Sequence, residues 1–366
     1  MRLLSGVLAA APFRTVLTGD DSLRSRPMER VAAPLREMGA GVSTAEGHAP
    51  VRIEGGSLHG IRHTPSVPSA QVKGAVLLAG VAASGETTVA EPAATRDHTE
   101  RALAHLGASV LIEPGRITVS AFQHDGFEAS VPGDVSSAAF LVAAAALTGA
   151  ELVVRGVGLN PSRTRYLEVM RRMGVEIVCR FATEELGEPV GDLVVGPCTG
   201  LTGTTVEERE LPLVIDEVPV LAALAAHAVG ETRFTRAGEL RVKESDRLTG
   251  IAQAIRSLGG QAGVEGDDLI VAGGGLAGGA ASSGGDHRMA MAAAVAALAA
   301  SGDCVIEAWR RPTSPSPGSS ARSGRSARGS RAEPWEGSGS SRSTARRVRG
   351  RARSPGRSRA SSASRT

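Results

Sequence analysis

Lysine is nearly missing from this chain: Lys73 and Lys243 stand against thirty-nine arginines. Generic positive charge is written as arginine, a planar fork that keeps its proton. A position that retains lysine is therefore a candidate for a compact ammonium whose pKa can move. Aromatic residues are scarce as well, at 2% of the chain. Tyr166 is the sole tyrosine, and Trp309 and Trp335 both lie beyond residue 308. So few stacking platforms argue against evolved recognition of nucleic acid. Cys179, Cys198 and Cys304 are scattered and odd in number. That spacing excludes a CxxC or Cys/His metal motif and fits structural thiols in a reducing, cytoplasmic setting. No apolar run approaches the ~18–20 residues of a membrane-spanning helix.

The net charge of +3 conceals two regions. Residues 309–366 hold fifteen arginines and only Glu333 and Glu336, a net +13, while the preceding 308 residues hold 26 basic and 36 acidic side chains, a net −10. An acidic globular body thus carries a basic tail, and the two need separate explanations. Arg and Ser make up 31 of the 58 tail residues. With no hydrophobic period the tail is expected to be disordered. The abrupt change in composition after Glu307 also reads as a shift of reading frame in high-GC DNA.

Two kinds of segment alternate through the body. The first is a polar-started amphipathic helix that ends in Leu-Gly or Met-Gly and runs into a strand: residues 26–43, 96–112, 162–178 and 244–264. Glycine after the last turn is the expected C-terminal cap. The second is an almost wholly apolar helix followed by a strand: residues 69–89, 134–154, 216–234 and 286–306. A helix that is apolar all round is buried. The alternation gives about four βαβ-like units at spacings of 70, 66 and 82 residues, so the class is α/β and built from repeats. Half-exposed and buried helices in each unit suggest sheets packed outside a central set of helices. Val131-Pro132-Gly133-Asp134 is a turn signal and a candidate domain boundary, with Asp134, Ser136 and Ser137 able to cap the next helix. Met1-Arg2 followed by the apolar 3–11 resembles a short signal peptide, but reads better as the cut start of a buried helix.

Charged residues at the starts of such helices are the exceptions to weigh. Asp216 precedes one apolar helix, and Asp286-His287-Arg288 opens another. Lys243, Glu244, Asp246 and Arg247 put four ionisable groups into five residues ahead of an amphipathic helix. Free N–H groups and the positive dipole end suit helix starts to anions, and arginine adds a bidentate fork. Lys243, Arg247, Arg288, Arg26 and Arg96 together are expected to form an anion-binding cleft between two domains. Taken singly, Asp216 is more often a helix cap, His287 a capping histidine and Lys73 a surface lysine.

In combination these segments resemble one family. Arg-Val-Lys-Glu-Ser-Asp-Arg-Leu at 241–248 and Gly-Asp-His-Arg-Met-Ala-Met at 285–291 are similar to the motifs of 3-phosphoshikimate 1-carboxyvinyltransferase, or EPSP synthase. Ser-Ala-Gln-Val-Lys at 69–73, Arg-Pro-Met at 26–28, Ile215-Asp216-Glu217 and the segment 95–100 support the resemblance, which covers residues 1 to about 308. It implies a two-domain inside-out α/β barrel of βαβαββ units, with domains at 1–131 on the shikimate-phosphate side and 132–308 on the phosphoenolpyruvate side. The implied reaction moves the enolpyruvyl group of phosphoenolpyruvate to the 5-hydroxyl of shikimate 3-phosphate, with no metal or organic cofactor. Its implied catalytic residues are Asp216 as base, Glu244 as proton donor and Lys243 beside it. Arg26, Arg247, Arg288 and His287 are implied to hold phosphoenolpyruvate, and Ser69, Ala70 and Arg96 shikimate 3-phosphate, with Gln71 between the substrates. The implied protein is a monomer with small-molecule partners, no specific nucleic acid and no membrane.

Two departures accompany the resemblance. Family members open with a Lys-Ser-Ile-Ser-His-Arg type of segment and then Asn-Ala-Gly-Thr, and this sequence starts at what looks like the following Met-Arg. No other lysine is available to replace the missing one, so the chain as written is expected to be weakly folded, aggregation-prone and inactive. The second departure is the tail. Two alternatives compete with it: the sister enzyme UDP-N-acetylglucosamine enolpyruvyl transferase, which needs a loop cysteine motif absent here, and a non-catalytic fragment whose tail binds nucleic acid through generic phosphate attraction. Retranslating the gene past codon 308 is expected to restore an apolar helix and strand in another frame. If neither frame does so, the frame-shift reading is wrong.

Overall fold

The computed structural model describes residues 1–307 and 346–348. The expectation of a disordered 309–366 falls, apart from 346–348, outside the described residues. Within them the alternation is present. The polar-started helices are Glu29–Glu37, His98–His105, Arg165–Arg172 and Arg247–Ser257. Each leads into a strand, respectively Gly41–Ala45, Val110–Glu113, Ile177–Glu185 and Gln261–Glu265. Gly39, Gly107, Gly174 and Gly259 leave these helices with φ of 106°, 94°, 98° and 81°. A side chain at any of them would clash in that left-handed backbone, which is why glycine stands there.

The apolar helices are Ala70–Gly80, Val135–Thr148, Val218–Ala225 and His287–Ala297. They serve as crossovers. Strand Arg62–His63 runs parallel to Thr87–Ala90, with helix Ala70–Gly80 connecting them. Thr87–Ala90 is antiparallel to Arg116–Val119, which in turn pairs antiparallel with Val110–Glu113. Strands Thr205–Val206, Glu231–Phe234, Asp268–Ala272 and Gln261–Glu265 repeat the same order and directions. A third sheet, Leu152–Gly158, Glu188–Val195 and Ile177–Glu185, has in place of the leading strand a single parallel bridge from Gly133 to Val157. The repeat is therefore βαβαββ. Parallel pairing requires a long crossover and an antiparallel hairpin does not, so each repeat has one buried crossover helix and a hairpin at its end. Gly279–Ser282 and Cys304–Glu307 begin another such unit around helix His287–Ala297, with 346–348 antiparallel to its second strand. The fold is α/β.

Contacts divide the chain into two compact units, Met1–Thr199 with Glu208–Val218, and Gly200–Glu207 with Pro219 onward. The turn at Pro132 lies inside the first unit, away from the boundary expected there. The reason is polar stitching across it: Asn160 Nδ2 donates to Asp97 Oδ1 at 2.8 Å, His98 meets Glu188 at 2.8 Å, and Arg101 reaches the Gly187 carbonyl at 3.3 Å. In the same unit Met28, Val31, Leu35, Ile53, Val76 and Leu77 are among the buried members of one hydrophobic core.

The opening segment departs from its expected full burial. Helix Arg2–Ala9 buries Ser5, Gly6 and Ala9, while Leu3, Leu4 and Val7 are exposed. Its small face packs on helix Ala70–Gly80, so closely that a Cβ on Gly6 would stand 2.1 Å from the Ala75 carbonyl oxygen. The pair of backbones, and not a greasy surface, sets this contact. Gly6→Ala is accordingly expected to lower stability by about 1–3 kcal/mol, read from denaturant unfolding. An unchanged midpoint would refute the close approach.

Candidate functional site

Each unit presents its own group of charged residues at helix starts. In the first unit Ser69 caps helix Ala70–Gly80, its hydroxyl accepting from Val72 N–H at 3.4 Å. The first-turn N–H groups of such a helix have no partner within the helix. Gln71 is exposed and its side-chain oxygen accepts from Arg2 Nη1 at 3.4 Å, while Arg2 Nη2 donates to the Pro27 carbonyl at 3.1 Å. Burial, then the nearby charges of Arg30 and Arg26, lower the pKa of Arg2. Arg2 thus joins Gln71 to the turn before Met28 that carries the exposed Arg26. In the sequence it reads only as the lone charge ahead of an apolar run.

Arg96 lies in the loop before helix His98–His105, and its Nη2 donates to Asp216 Oδ2 at 2.6 Å. Asp216 occupies the turn between the short helix Leu211–Val214 and helix Val218–Ala225. Its neighbour Glu217 is buried and accepts from Ser136 Oγ at 2.5 Å, and Arg163 Nη2 donates to the same hydroxyl at 2.5 Å. Asp134 caps helix Val135–Thr148 through the N–H groups of Ser136 and Ser137, as its position before that helix suggested. Arg163, Ser136 and Glu217 therefore clamp the turn that presents Asp216. Glu217 stood in the sequence only as the neighbour of Asp216 in Ile215-Asp216-Glu217, and no motif marked Arg163.

Lys73 is a correction. Read as a surface lysine, it is 1% exposed, with Nζ 2.6 Å from Glu100 Oε1 and 3.0 Å from Glu91 Oε1. Burial raises the Glu100 carboxyl pKa by more than the Lys73 hydrogen bond lowers it.

In the second unit Asp286 is the hub. It caps helix His287–Ala297, accepting from Arg288 N–H at 2.9 Å and Met289 N–H at 3.4 Å. The fork of Arg247 grips the same carboxylate, Nε at 2.7 Å and Nη2 at 3.3 Å, and Ser245 Oγ donates to it at 3.2 Å. Arg247 Nη2 also lies 2.7 Å from Glu244 Oε2. Arg247 is 1% exposed, deeper than a helix-start arginine reading suggests, because the carboxylate partners neutralise it there. Asp246 is the cap of helix Arg247–Ser257, accepting from Thr249 N–H at 3.1 Å. Lys243, in the turn before it, pairs with Glu239 at 3.2 Å. His287 and Arg288 start their helix, His287 exposed and Arg288 half-buried. The structure thus gathers Glu244, Arg247 and the helix start of His287 and Arg288 through Asp286, which in the sequence stands out only as part of the charged segment that opens its helix. Among the described residues no group of three or more His, Cys, Asp or Glu side chains is placed to hold a metal ion, and no helix is long and apolar enough to cross a membrane.

A βαβαββ repeat with arginines and carboxylates at its helix starts defines the class of α/β protein. The model of the EPSP synthase (3-phosphoshikimate 1-carboxyvinyltransferase) family matches residues 1–311, and the chain belongs to that family. It is 51% identical over 269 residues to a 3-phosphoshikimate 1-carboxyvinyltransferase of Halorhodospira halophila, covering 71% of this chain and 59% of that protein. A Thermus thermophilus protein of the same name is 51% identical over 266 residues, covering 71% of this chain and 62% of the relative. The chain thus spans about three fifths of the length of these relatives. The solved EPSP synthase of Acinetobacter baumannii superposes with a TM-score of 0.76 at 44% identity, covering 82% of this chain and 71% of that one.

Asp286 is the point to test. Burial pushes its carboxyl up, but Arg247 and the two backbone N–H groups outweigh this and hold its pKa below the ordinary value. Such a group stabilises the fold above its unfolded pKa, about 3.9, and that contribution is lost as pH falls through the lower folded value. Asp286→Asn leaves Arg247 under-neutralised and is expected to cost about 3–5 kcal/mol at pH 7. The gap to the parent chain narrows below about pH 3.9, as measured by denaturant unfolding at both pH values. A gap independent of pH would contradict the ion-pair account.

Proposed function

We propose that this chain transfers the enolpyruvyl group of phosphoenolpyruvate to the 5-hydroxyl of shikimate 3-phosphate, releasing phosphate. The observation that carries this reading is the pairing of each proton-transfer carboxylate with an arginine suited to a substrate anion. Arg96 holds Asp216 at 2.6 Å, and Arg247 holds Glu244 at 2.7 Å. Names shared with the relatives support it.

In this reading the first unit carries the shikimate-phosphate half-site: Ser69, the Ala70 backbone, Gln71 and Arg96. Arg26, Arg247, Arg288 and His287 hold phosphoenolpyruvate. The 5-hydroxyl oxygen bonds to C2 of phosphoenolpyruvate while its proton passes to Asp216. C3 takes a proton from Glu244, which gives a tetrahedral adduct. The C2–O bond to phosphate then breaks, C3 returns its proton to Glu244, the double bond re-forms, and the Asp216 proton leaves with phosphate. Lys243 binds the transferred group and relays protons. Two carboxyl groups in different surroundings suit these opposite tasks, and fixed cations stabilise the charged adduct. Neither a metal nor an organic cofactor has a step to perform. The repeats are proposed to form an inside-out α/β barrel arrangement, and the chain to act as a monomer. No observation favours the sister UDP-N-acetylglucosamine enzyme.

Phosphorus NMR of both substrates with stoichiometric protein is the test. Formation of the enolpyruvyl ether and inorganic phosphate supports the reading, whereas bound substrates without turnover meet the inactivity expected from the sequence. Asp216→Asn and Glu244→Gln should each slow it by about 10²–10⁴-fold while substrate binding persists. A chain that binds neither substrate sinks the reading, and an unaffected rate in either variant removes that residue from it.

A further inference from the structure

Lys73 has no step in the proposed chemistry, yet it is the most completely enclosed ammonium among the described residues. It sits in the first turn of the helix that Ser69 caps, its own N–H donating to the Ser69 carbonyl at 3.0 Å. Its two carboxylate partners flank one loop. Glu91 follows the end of strand Thr87–Ala90, and Glu100 lies in the first turn of helix His98–His105. Between them runs the loop that carries Arg96. Glu91 holds that loop from within as well, its Oε1 accepting from Thr95 Oγ1 at 2.5 Å, one residue before Arg96.

We propose that Lys73 is a positioning residue: through Glu91 and Glu100 it pins both ends of the Arg96 loop to the turn bearing Ser69, Ala70 and Gln71. The proposal rests on the reading that these residues form the shikimate 3-phosphate half-site. A buried ion pair is poor at adding stability, since apolar residues of similar volume commonly do as well. Its strength is in fixing geometry. The identity of the cation fits this role. A compact ammonium with three rotatable donors reaches two carboxylates on separate segments from a fully buried position. Lys73 is one of only two lysines in a chain that writes nearly all its positive charge as arginine.

The test uses the full chain with two variants, since Lys73→Met alone leaves two buried carboxylates and is prone to misfold. Glu91→Gln removes one anchor and Glu100→Gln the other, each leaving Lys73 one carboxylate partner. Three quantities are measured: amide exchange across residues 91–97, the thermal midpoint, and calorimetric affinity for shikimate 3-phosphate. Expected for Glu91→Gln are exchange faster by about tenfold, affinity weaker by about tenfold or more, and a preserved thermal midpoint. Glu100→Gln should show the same two losses. Affinity within about twofold of the parent chain in both variants overturns the proposal, even if exchange quickens, because Lys73 is then only a strut. If the parent chain itself fails to bind shikimate 3-phosphate, the functional reading falls, and exchange alone decides the pinning: unchanged protection of 91–97 in both variants overturns it.

Discussion

The constraint on which this structure rests is the burial of its crossover helices. Helices such as Ala70–Gly80 and Val135–Thr148 are apolar almost all round and hide most of their surface. A parallel strand pair needs a crossover, and a crossover with no polar face has nowhere to place charge except at its ends. The ends are therefore where the chemistry gathers. Ser69, Asp134 and Asp286 each cap one of these helices, and Ala70, Gln71, His287 and Arg288 stand beside them.

Charges brought so close to buried surface need partners, and the partners decide what the charges do. Arg247 tolerates near-complete burial because Asp286 and Glu244 face it. Asp216 stands in a turn that Arg163, Ser136 and Glu217 fix from behind, and Arg96 meets it from the front. Desolvating such groups costs more than their attraction returns in many proteins. Their value lies in holding side chains at fixed places before a ligand arrives, which is what stabilisation of a charged adduct demands.

Much of this was legible beforehand. The Leu-Gly and Met-Gly endings located helix ends to within a residue or two, since only glycine suits the left-handed exits at Gly39, Gly107, Gly174 and Gly259. Apolar runs without a polar face marked the buried helices. Motif residues such as Glu244, Arg247 and Asp216 stood out because charge beside an apolar helix is rare. What failed to show was anything set by distance in space. Lys73 looked like a surface residue because burial of a lysine depends on Glu91 and Glu100, which lie 18 and 27 residues further along the sequence. The Asn160–Asp97 bond joins residues on either side of the turn at Pro132, a link that local turn chemistry does not reveal.

The sequence by itself determined the α/β class, the repeat, the polarity of each helix and the residue types available at the helix starts, because these follow from periodicity and backbone preference over short stretches. Only the tertiary structure decided that Asp286 is the hub for Arg247, that Arg163 and Glu217 brace Asp216, and that Lys73 is enclosed by two carboxylates. Those outcomes depend on which segments meet, and in a chain with lysine at two positions among 366, meeting is what separates a generic charge from a placed one.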